Sequence, residues 1–333
     1  MKPSELTEKL VKCMKAKLPV LIKGAPGVGK SDIVAQVAAA LGMDLIISHP
    51  VVSDPTDFKG LPAIVDGQAE FLPFGELTAL IEAVKPTIAF LDDLGQAPAC
   101  VQAAAMQLIL ARRVNGHHVS PNVVFVAATN RRTDKAGVTG ILEPVKSRFA
   151  TIYELVQDEA DWVEWAYAHE MPGKLIAFVH FRPGILHDFK PTADIVNGPC
   201  ARTIANCGRL INAGLEDMES LSGAAGEGTA IEMIGFFKYW QQLPNLTHLI
   251  ENPNKYVDSI PKEPAALYAI VTGLVEKANG KNIANIFEYS SHLPKDFDIL
   301  LGRDCIRKDK KKEIQNTKAF VKWAVKNKDI LAA

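Results

Sequence analysis

Eight residues constrain this chain more than any others: Gly24-Ala25-Pro26-Gly27-Val28-Gly29-Lys30-Ser31. They fit the pattern G-x-x-x-x-G-K-[ST], in which glycines let the backbone curl until successive N–H groups point inward at phosphate oxygens. The pattern has meaning only between a strand and a helix, and both are expected. Residues 18–23 read as a short buried strand, and Ile33, Val34, Val37, Ala38 and Leu41 recur at helical spacing before Gly42. A helix starting near Lys30 adds the positive end of its dipole. In such a loop Gly24, Ala25, Pro26, Gly27, Val28, Gly29, Lys30 and Ser31 line a phosphate site. The Lys30 ammonium then reaches the β- and γ-phosphates, and the Ser31 hydroxyl is a magnesium ligand.

Two further strand ends suit the same chemistry. Ile88-Ala89-Phe90-Leu91-Asp92-Asp93 is an apolar run that ends in two acids. A buried strand of this kind delivers Asp92 beside the phosphate loop, where its carboxylate can hold magnesium through water. Asp93 then stands where a general base would polarise the attacking water. Phe125-Val126-Ala127-Ala128-Thr129-Asn130 ends in an amide, which both donates and accepts and so can orient a lytic water. A lone Asp or Asn at a strand end more commonly closes a turn. The Asn130 assignment therefore depends on the other motifs.

Strand and helix signals alternate through the first half of the chain. Helices are expected over residues 76–84 and 98–112, and a strand over 151–155. Asp66-Gly67 and Asn115-Gly116 each sit at the centre of a hairpin signal. After about residue 156 the strand signals fade, and helices are expected over 158–170, 174–181, 203–215, 229–240, 261–278 and 316–333. This order predicts an α/β domain with hairpin inserts over residues 1–155 and a helical region over 156–333. The basic run at residues 307–312 reads as a solvated surface helix.

Composition narrows the setting. Hydrophobic residues make up 48% and charged residues 23% of the chain, and the formal net charge is −1, so nothing global attracts nucleic acid or membrane. No apolar run approaches the roughly 18 residues that a membrane-spanning helix needs. The start, Met1-Lys2-Pro3-Ser4, leads into a charged amphipathic stretch and not into a signal-peptide core. Cys13, Cys100, Cys200, Cys207 and Cys305 lack paired spacing. A cytoplasmic protein with reduced thiols and no membrane insertion is expected. His117 and His118 have no acid or Cys spaced for chelation and are expected to face solvent.

The words GAPGVGKS (24–31), DPTDFKGLP (54–62), FLDDLGQA (90–97), FVAATNRRTDKAGV (125–138), EPVKSRF (143–149) and PCART (199–203) stand in order. With them the chain resembles the AAA+ superfamily and, within it, the MoxR-like ATPases. The resemblance is motif-level from residue 18 to about 215. It implies a P-loop NTPase parallel sheet followed by an all-helical lid, with ATP and Mg2+ as ligands and ATP hydrolysis as the reaction. It further implies a ring homo-oligomer of six subunits that remodels or matures a client protein, with a von Willebrand A domain supplied by a separate partner.

Site roles are implied residue by residue. Asn130 matches sensor 1. Arg148 matches the arginine finger, which reaches the ATP of a neighbouring subunit, and its own domain's phosphate loop is expected on the opposite flank of the sheet. Arg131 and Arg132 compete with it, but they directly follow the sensor strand, where the family pattern has no finger. Arg202 matches sensor 2 on the lid. The Asp66-Gly67 hairpin lies where MoxR-like proteins carry a helix-2 insert, and in related rings such hairpins face the pore or the substrate side. One departure is Asp92-Asp93, where the family has Asp-Glu. The second carboxylate is set back by about 1 Å, enough to slow water activation. Two other readings stay open. One is a nucleic-acid machine of the helicase-loader, clamp-loader or initiator kind, drawn from Asp-Asp and the basic run. The other is an ATP-gated scaffold with weak turnover.

Overall fold

The computed structural model describes residues 1–134, 140–192 and 194–331. Residues 135–138 of the FVAATNRRTDKAGV word and the last two residues of the helix expected over 316–333 lie outside the described residues. The chain divides into two compact units, Met1–Asp158 and Glu159–Ala333.

The first unit runs α1 (Pro3–Lys15), β1 (Val20–Gly24), α2 (Lys30–Leu41), β2 (Asp44–Ser48), α3 (Pro55–Lys59), β3 (Leu61–Val65), β4 (Gln68–Leu72), α4 (Gly75–Glu82), β5 (Thr87–Leu91), α5 (Ala99–Ala111), β6 (Arg113–Val114), β7 (His117–His118), β8 (Val123–Thr129), α6 (Glu143–Lys146) and β9 (Thr151–Leu155). Five strands form one sheet in the order β2-β5-β8-β1-β9, and every pairing is parallel. Alternate side chains of each strand enter opposite cores. Leu21, Ala89, Leu91, Phe125 and Ala127 pack with Phe58, Leu77, Leu80, Val101 and Leu108 of α3, α4 and α5. Val20, Ile22, Ile88, Phe90 and Val126 pack with Leu6, Leu10, Ile33, Val34 and Val37 of α1 and α2. A parallel sheet covered on both faces needs strands that are apolar throughout, and this is why these segments read as unbroken apolar runs.

The DPTDFKGLP word folds as a capped helix. Asp54 accepts from the Thr56 N–H, and Asp57 accepts from the Asp54 N–H, which closes a capping box at the start of α3. The two hairpins form at the expected turns, with Asp66-Gly67 and Asn115-Gly116 all at positive φ. The second hairpin rests on the end of α3 and on the first hairpin. Asn115 Nδ2 donates to the Lys59 carbonyl at 2.9 Å, and His117 Nε2 lies 2.8 Å from the Phe71 carbonyl oxygen. His118 is exposed and His117 half-buried. Among the described residues no group of three His, Cys, Asp or Glu could hold a metal ion.

The second unit holds no strand among its described residues. It runs α7 (Glu159–Ala168), α8 (Gly173–Phe181), α9 (Ala201–Asn212), α10 (Met218–Ala225), α11 (Glu227–Gln241), α12 (Leu246–Glu251), α13 (Pro264–Lys277), α14 (Ile283–Ser290), α15 (Lys295–Lys308), α16 (Lys318–Lys326) and α17 (Lys328–Leu331). Leu175, Phe178, Ile204, Met233 and Phe236 centre one core, and Ile270, Leu274, Ile286, Tyr289 and Leu301 a second. The basic run at 307–312 is not one solvated helix. The helix α15 stops at Lys308, because Asp309 turns to accept the N–H groups of Glu313, Ile314 and Gln315. Lys308 Nζ donates to the carbonyls of Val275 at 2.8 Å and Glu276 at 2.5 Å, where the C-terminal end of α13 attracts a cation.

A buried ionic cluster ties α7, α8 and α15 together. His180 Nδ1 lies 2.5 Å from Glu159 Oε1 and Nε2 lies 2.7 Å from Asp304 Oδ2. Asp304 also accepts from Tyr167 Oη at 3.0 Å and Arg307 Nη1 at 2.6 Å. Burial disfavours the imidazolium, but the Asp304 and Glu159 carboxylates outweigh it, and the His180 pKa is pushed up to about 9. A pKa raised on folding stabilises fully below the unfolded value, near 6.5. That contribution is lost as pH rises from there through about 9. The upward shift predicts a loss of about 3 kcal/mol of second-unit stability between pH 6 and pH 9.5. All four tryptophans lie in this unit, so denaturant unfolding followed by tryptophan fluorescence reads it alone. A His180→Asn variant, which cannot titrate, should be less stable at pH 6 and show a flatter profile.

Candidate active site

Parallel strands deliver their C-terminal ends to one edge of a sheet. Here β1 ends at Gly24, β5 at Leu91 and β8 at Thr129, so the 24–31 loop, Asp92 and Asn130 meet on that edge. In the loop Gly27 has φ 70° and Gly29 φ 95°, which L side chains rarely adopt. A Cβ added at Gly29 would meet no atom within 4 Å, so space opens over the start of α2.

Lys30 is 7% exposed, and its Nζ donates to Gly24 O at 3.1 Å, Ala25 O at 3.0 Å and Asn130 Oδ1 at 2.7 Å. The Ser31 hydroxyl donates to Asp92 Oδ2 at 2.7 Å. Asp93 follows in the left-handed region at φ 55°, ψ 33°, with its N–H donating to Asp92 Oδ1 at 3.1 Å. Asn130 Nδ2 donates to Asp93 Oδ1 at 3.4 Å. One buried amide thus faces a cation with its oxygen and a carboxylate with its nitrogen, the orientation that matches both charges. The residues fit a triphosphate and a divalent cation. The backbone is curled, the ammonium rests on carbonyl oxygens that phosphate oxygens could replace, and the Ser31–Asp92 pair is oxygen-only, as hard cations prefer.

The arginines are placed differently. Strand β9 pairs with β1 in register Val20↔Thr151, and Ala150 N–H donates to Pro19 O at 2.9 Å. Arg148 therefore lies at the N-terminal edge of the sheet, with Nη1 3.4 Å from Ser147 Oγ. The expectation that the phosphate loop sits on the opposite flank is corrected. The two strands are neighbours, and what separates Arg148 from the loop is the length of β1, about 13 Å for four steps of roughly 3.3 Å. Chain order hides this because the last strand is laid beside the first.

Arg131 is tied down. Its Nε and Nη2 donate to Asp134 at 3.1 and 3.0 Å, and Nη1 lies 3.5 Å from Glu154, so the guanidinium pKa is raised chiefly by the hydrogen bond to Asp134. Arg132 is exposed. Arg202, in the second unit, is exposed in the first turn of α9, which is capped by the Cys200 N–H donating to Thr203 Oγ1 at 2.8 Å. A cation there opposes the helix dipole, so the helix's own electrostatics do not account for it.

Three positions escaped sequence reasoning. Gln102, 1% exposed on α5, donates to Ala97 O at 3.0 Å and Gly140 O at 2.9 Å and accepts from Leu142 N–H at 3.0 Å. It pins the segment that enters α6 and leads to Arg148. A glutamine on the apolar side of a helix rich in alanine was the available signal. Gly95 is the second, because a Cβ there would lie 2.1 Å from Thr129 Oγ1, beside Asn130. Ser48 is the third. It is buried at the end of β2, with its hydroxyl donating to Glu76 and its carbonyl accepting the Asp92 N–H at 2.9 Å.

Residues 19–149 match the family described as AAA domain (dynein-related subfamily). The first unit thus has the P-loop AAA+ fold, and the match indicates an ATPase domain. No curated protein matches the chain. Among solved structures, a point mutant of RuvB from Thermotoga maritima is 15% identical over 82% of each chain, at a TM-score of 0.44. The RuvB Holliday junction branch migration motor of the same organism is 14% identical over 81% of each chain, with a TM-score of 0.41. NtrX from Brucella abortus is 12% identical over 98% of this chain and 67% of that chain, also at 0.41.

Replacing Gln102 with Ala removes the partner of two carbonyls and one N–H inside the first unit. The expected cost is on the order of 2–3 kcal/mol, read as a lower midpoint in thermal unfolding followed by far-ultraviolet circular dichroism. Ala is a good helix former, so an unchanged midpoint would show that the three bonds carry no net stability.

Proposed function

We propose that this chain is a magnesium-dependent ATPase of MoxR type, with residues 1–155 as the nucleotide-binding domain and 156–333 as the helical lid and C-terminal region. It works as a homo-oligomeric ring, six subunits on the family pattern, in the cytoplasm. The observation that carries the catalytic part is the chain of contacts Lys30–Asn130–Asp93 beside the Ser31–Asp92 pair. Bound Mg-ATP supplies the phosphoanhydride whose γ-phosphoryl passes to water.

The loop backbone from Gly24 to Ser31 cradles phosphate, and Lys30 exchanges carbonyl oxygens for phosphate oxygens. Ser31 and Asp92 hold the cation, Asp92 through water. Asp93 accepts the proton of the attacking water, and Asn130 keeps that water and the Asp93 carboxylate aligned. Developing negative charge on the phosphoryl oxygens needs further cations. Arg148 serves that need for a neighbouring subunit, since it stands at the other edge of its own sheet. Arg202 is the sensor of the lid. The mechanical output goes to a client protein, with a separate von Willebrand A domain protein as the partner that the sequence words support.

Lys30→Ala is expected to weaken nucleotide binding and abolish turnover. Asp93→Asn is expected to bind ATP and hold it in an assembled ring, because the amide cannot take a proton. Fluorescent-nucleotide titration and phosphate release measure both, and parental turnover in either would defeat its assignment. Parental protein that binds and assembles without measurable phosphate release would favour the ATP-gated scaffold.

Arg148→Ala is expected to keep nucleotide binding and lose hydrolysis by a factor on the order of 10³. Mixing it with Lys30→Ala protein under subunit exchange should recover activity, because a mixed interface pairs an intact Arg148 with an intact Lys30. Mixtures no more active than either variant alone would refute a finger acting between subunits.

A further inference from the structure

The chain is close to neutral, with 37 Lys and Arg against 38 Asp and Glu, yet residues 303–328 carry ten Lys and Arg against three acids. Two of those acids are turned inward. Asp304 is spent on His180, Tyr167 and Arg307, and Asp309 on the N–H groups of the turn that follows it. Lys310 is paired with Glu164 at 2.9 Å, and Lys308 caps α13. Lys311, Lys312, Lys318, Lys322, Lys326 and Lys328 are all exposed. Among the described residues none of these six has a salt-bridge partner.

Three of them form a stripe. Lys318, Lys322 and Lys326 recur every four residues along α16, on the face opposite its anchors. Those anchors are firm. Trp323 stacks on Phe287 with ring centroids 5.2 Å apart and donates from Nε1 to Asp298 at 2.9 Å, and Phe320 is buried in the same core. The exposed face is thus held on a fixed support. Like charges four apart destabilise a helix, and Lys318 in the first turn opposes the dipole. Among the described residues of the second unit no acid pairs with the stripe to offset that repulsion; a bound polyanion would.

We propose that the exposed face of α16, through Lys318, Lys322 and Lys326, binds the phosphate backbone of duplex DNA without reading its sequence. Four residues of helix advance about 6 Å. Each step along one strand of a duplex rises about 3.4 Å along the axis and also turns around it, so successive phosphates, and not alternate ones, lie within reach of long side chains spaced this far apart. The alternative polyanion is an anionic membrane surface. Exposed Val321 and Val325 lie on the same face, but two valines are too few for an interfacial helix, whose apolar face must enter the lipid, and the apolar face of α16 is already buried. This inference is independent of the ATPase reading.

The test is fluorescence anisotropy with a labelled 30-base-pair duplex of arbitrary sequence, titrated from 50 to 200 mM salt without nucleotide. The parent is compared with Lys318→Gln/Lys322→Gln/Lys326→Gln, in which glutamine keeps helix propensity. The parent is expected to bind, and the triple variant to lower the slope of log affinity against log salt by about 2.7, or about 40-fold less salt sensitivity across that range. Lys322→Gln alone should lower it by about 0.9, which keeps the test open if the triple variant misfolds. Basal phosphate release and tryptophan fluorescence should not change. A parent that ignores the duplex, an unchanged slope in a folded variant, tighter binding to single-stranded DNA of equal length, or binding to phosphatidylserine vesicles or polyglutamate in place of the duplex would each overturn the proposal.

Discussion

The ammonium of Lys30 is almost wholly buried, and a buried cation is tolerable only when its donors are taken up by oxygens. Two of those oxygens belong to its own loop and the third is Asn130 Oδ1, at the end of a neighbouring strand. The same amide faces Asp93 across the end of the next strand. The loop, β8 and β5 therefore have to be in register before the charge can be accommodated. That register rests on the two apolar faces of the sheet, where residues such as Phe90 and Phe125 are fully buried.

Around this centre the chain gives up local comfort for position. Asp93 occupies left-handed backbone space, which Asp tolerates better than most residues but not freely. The strand end beside it can approach only because Gly95 has no side chain against Thr129. From the same region Gln102 reaches the segment that leads to α6, so the placement of Arg148 is tied by hydrogen bonds to the helix behind the acids. The loop and Arg148 stand at opposite edges of one sheet. In the proposed ring each edge would meet its complement on a neighbour, and the length of β1 sets the separation between them within one subunit.

The helical unit follows a different logic. Its helices are held by two apolar cores and by charges inside the protein, chiefly the His180–Asp304–Arg307 cluster and the Lys308 cap on α13. Two of the five basic residues at 307–312 are consumed in that way, and the stripe of exposed lysines lies farther along the chain, on α16. A charge run read from sequence does not say which of its members face water, because a helix end or a buried acid decides that.

By itself the sequence determined the P-loop parallel α/β fold, the two hairpin turns and the order of the strand ends. Each of these is a local property: glycine spacing, apolar runs, and Asp-Gly or Asn-Gly between them. Helices such as α10, α12, α14 and α15 were not legible, because they are short or lack a clean apolar stripe and owe their existence to packing in the helical cores. Only the tertiary structure decided that β9 lies beside β1, that Asn130 bridges Lys30 and Asp93, and that Gln102 holds the approach to Arg148. Those are contacts between residues far apart in the chain, and they exist only once the sheet has closed its register and excluded water from the groups that must then pair.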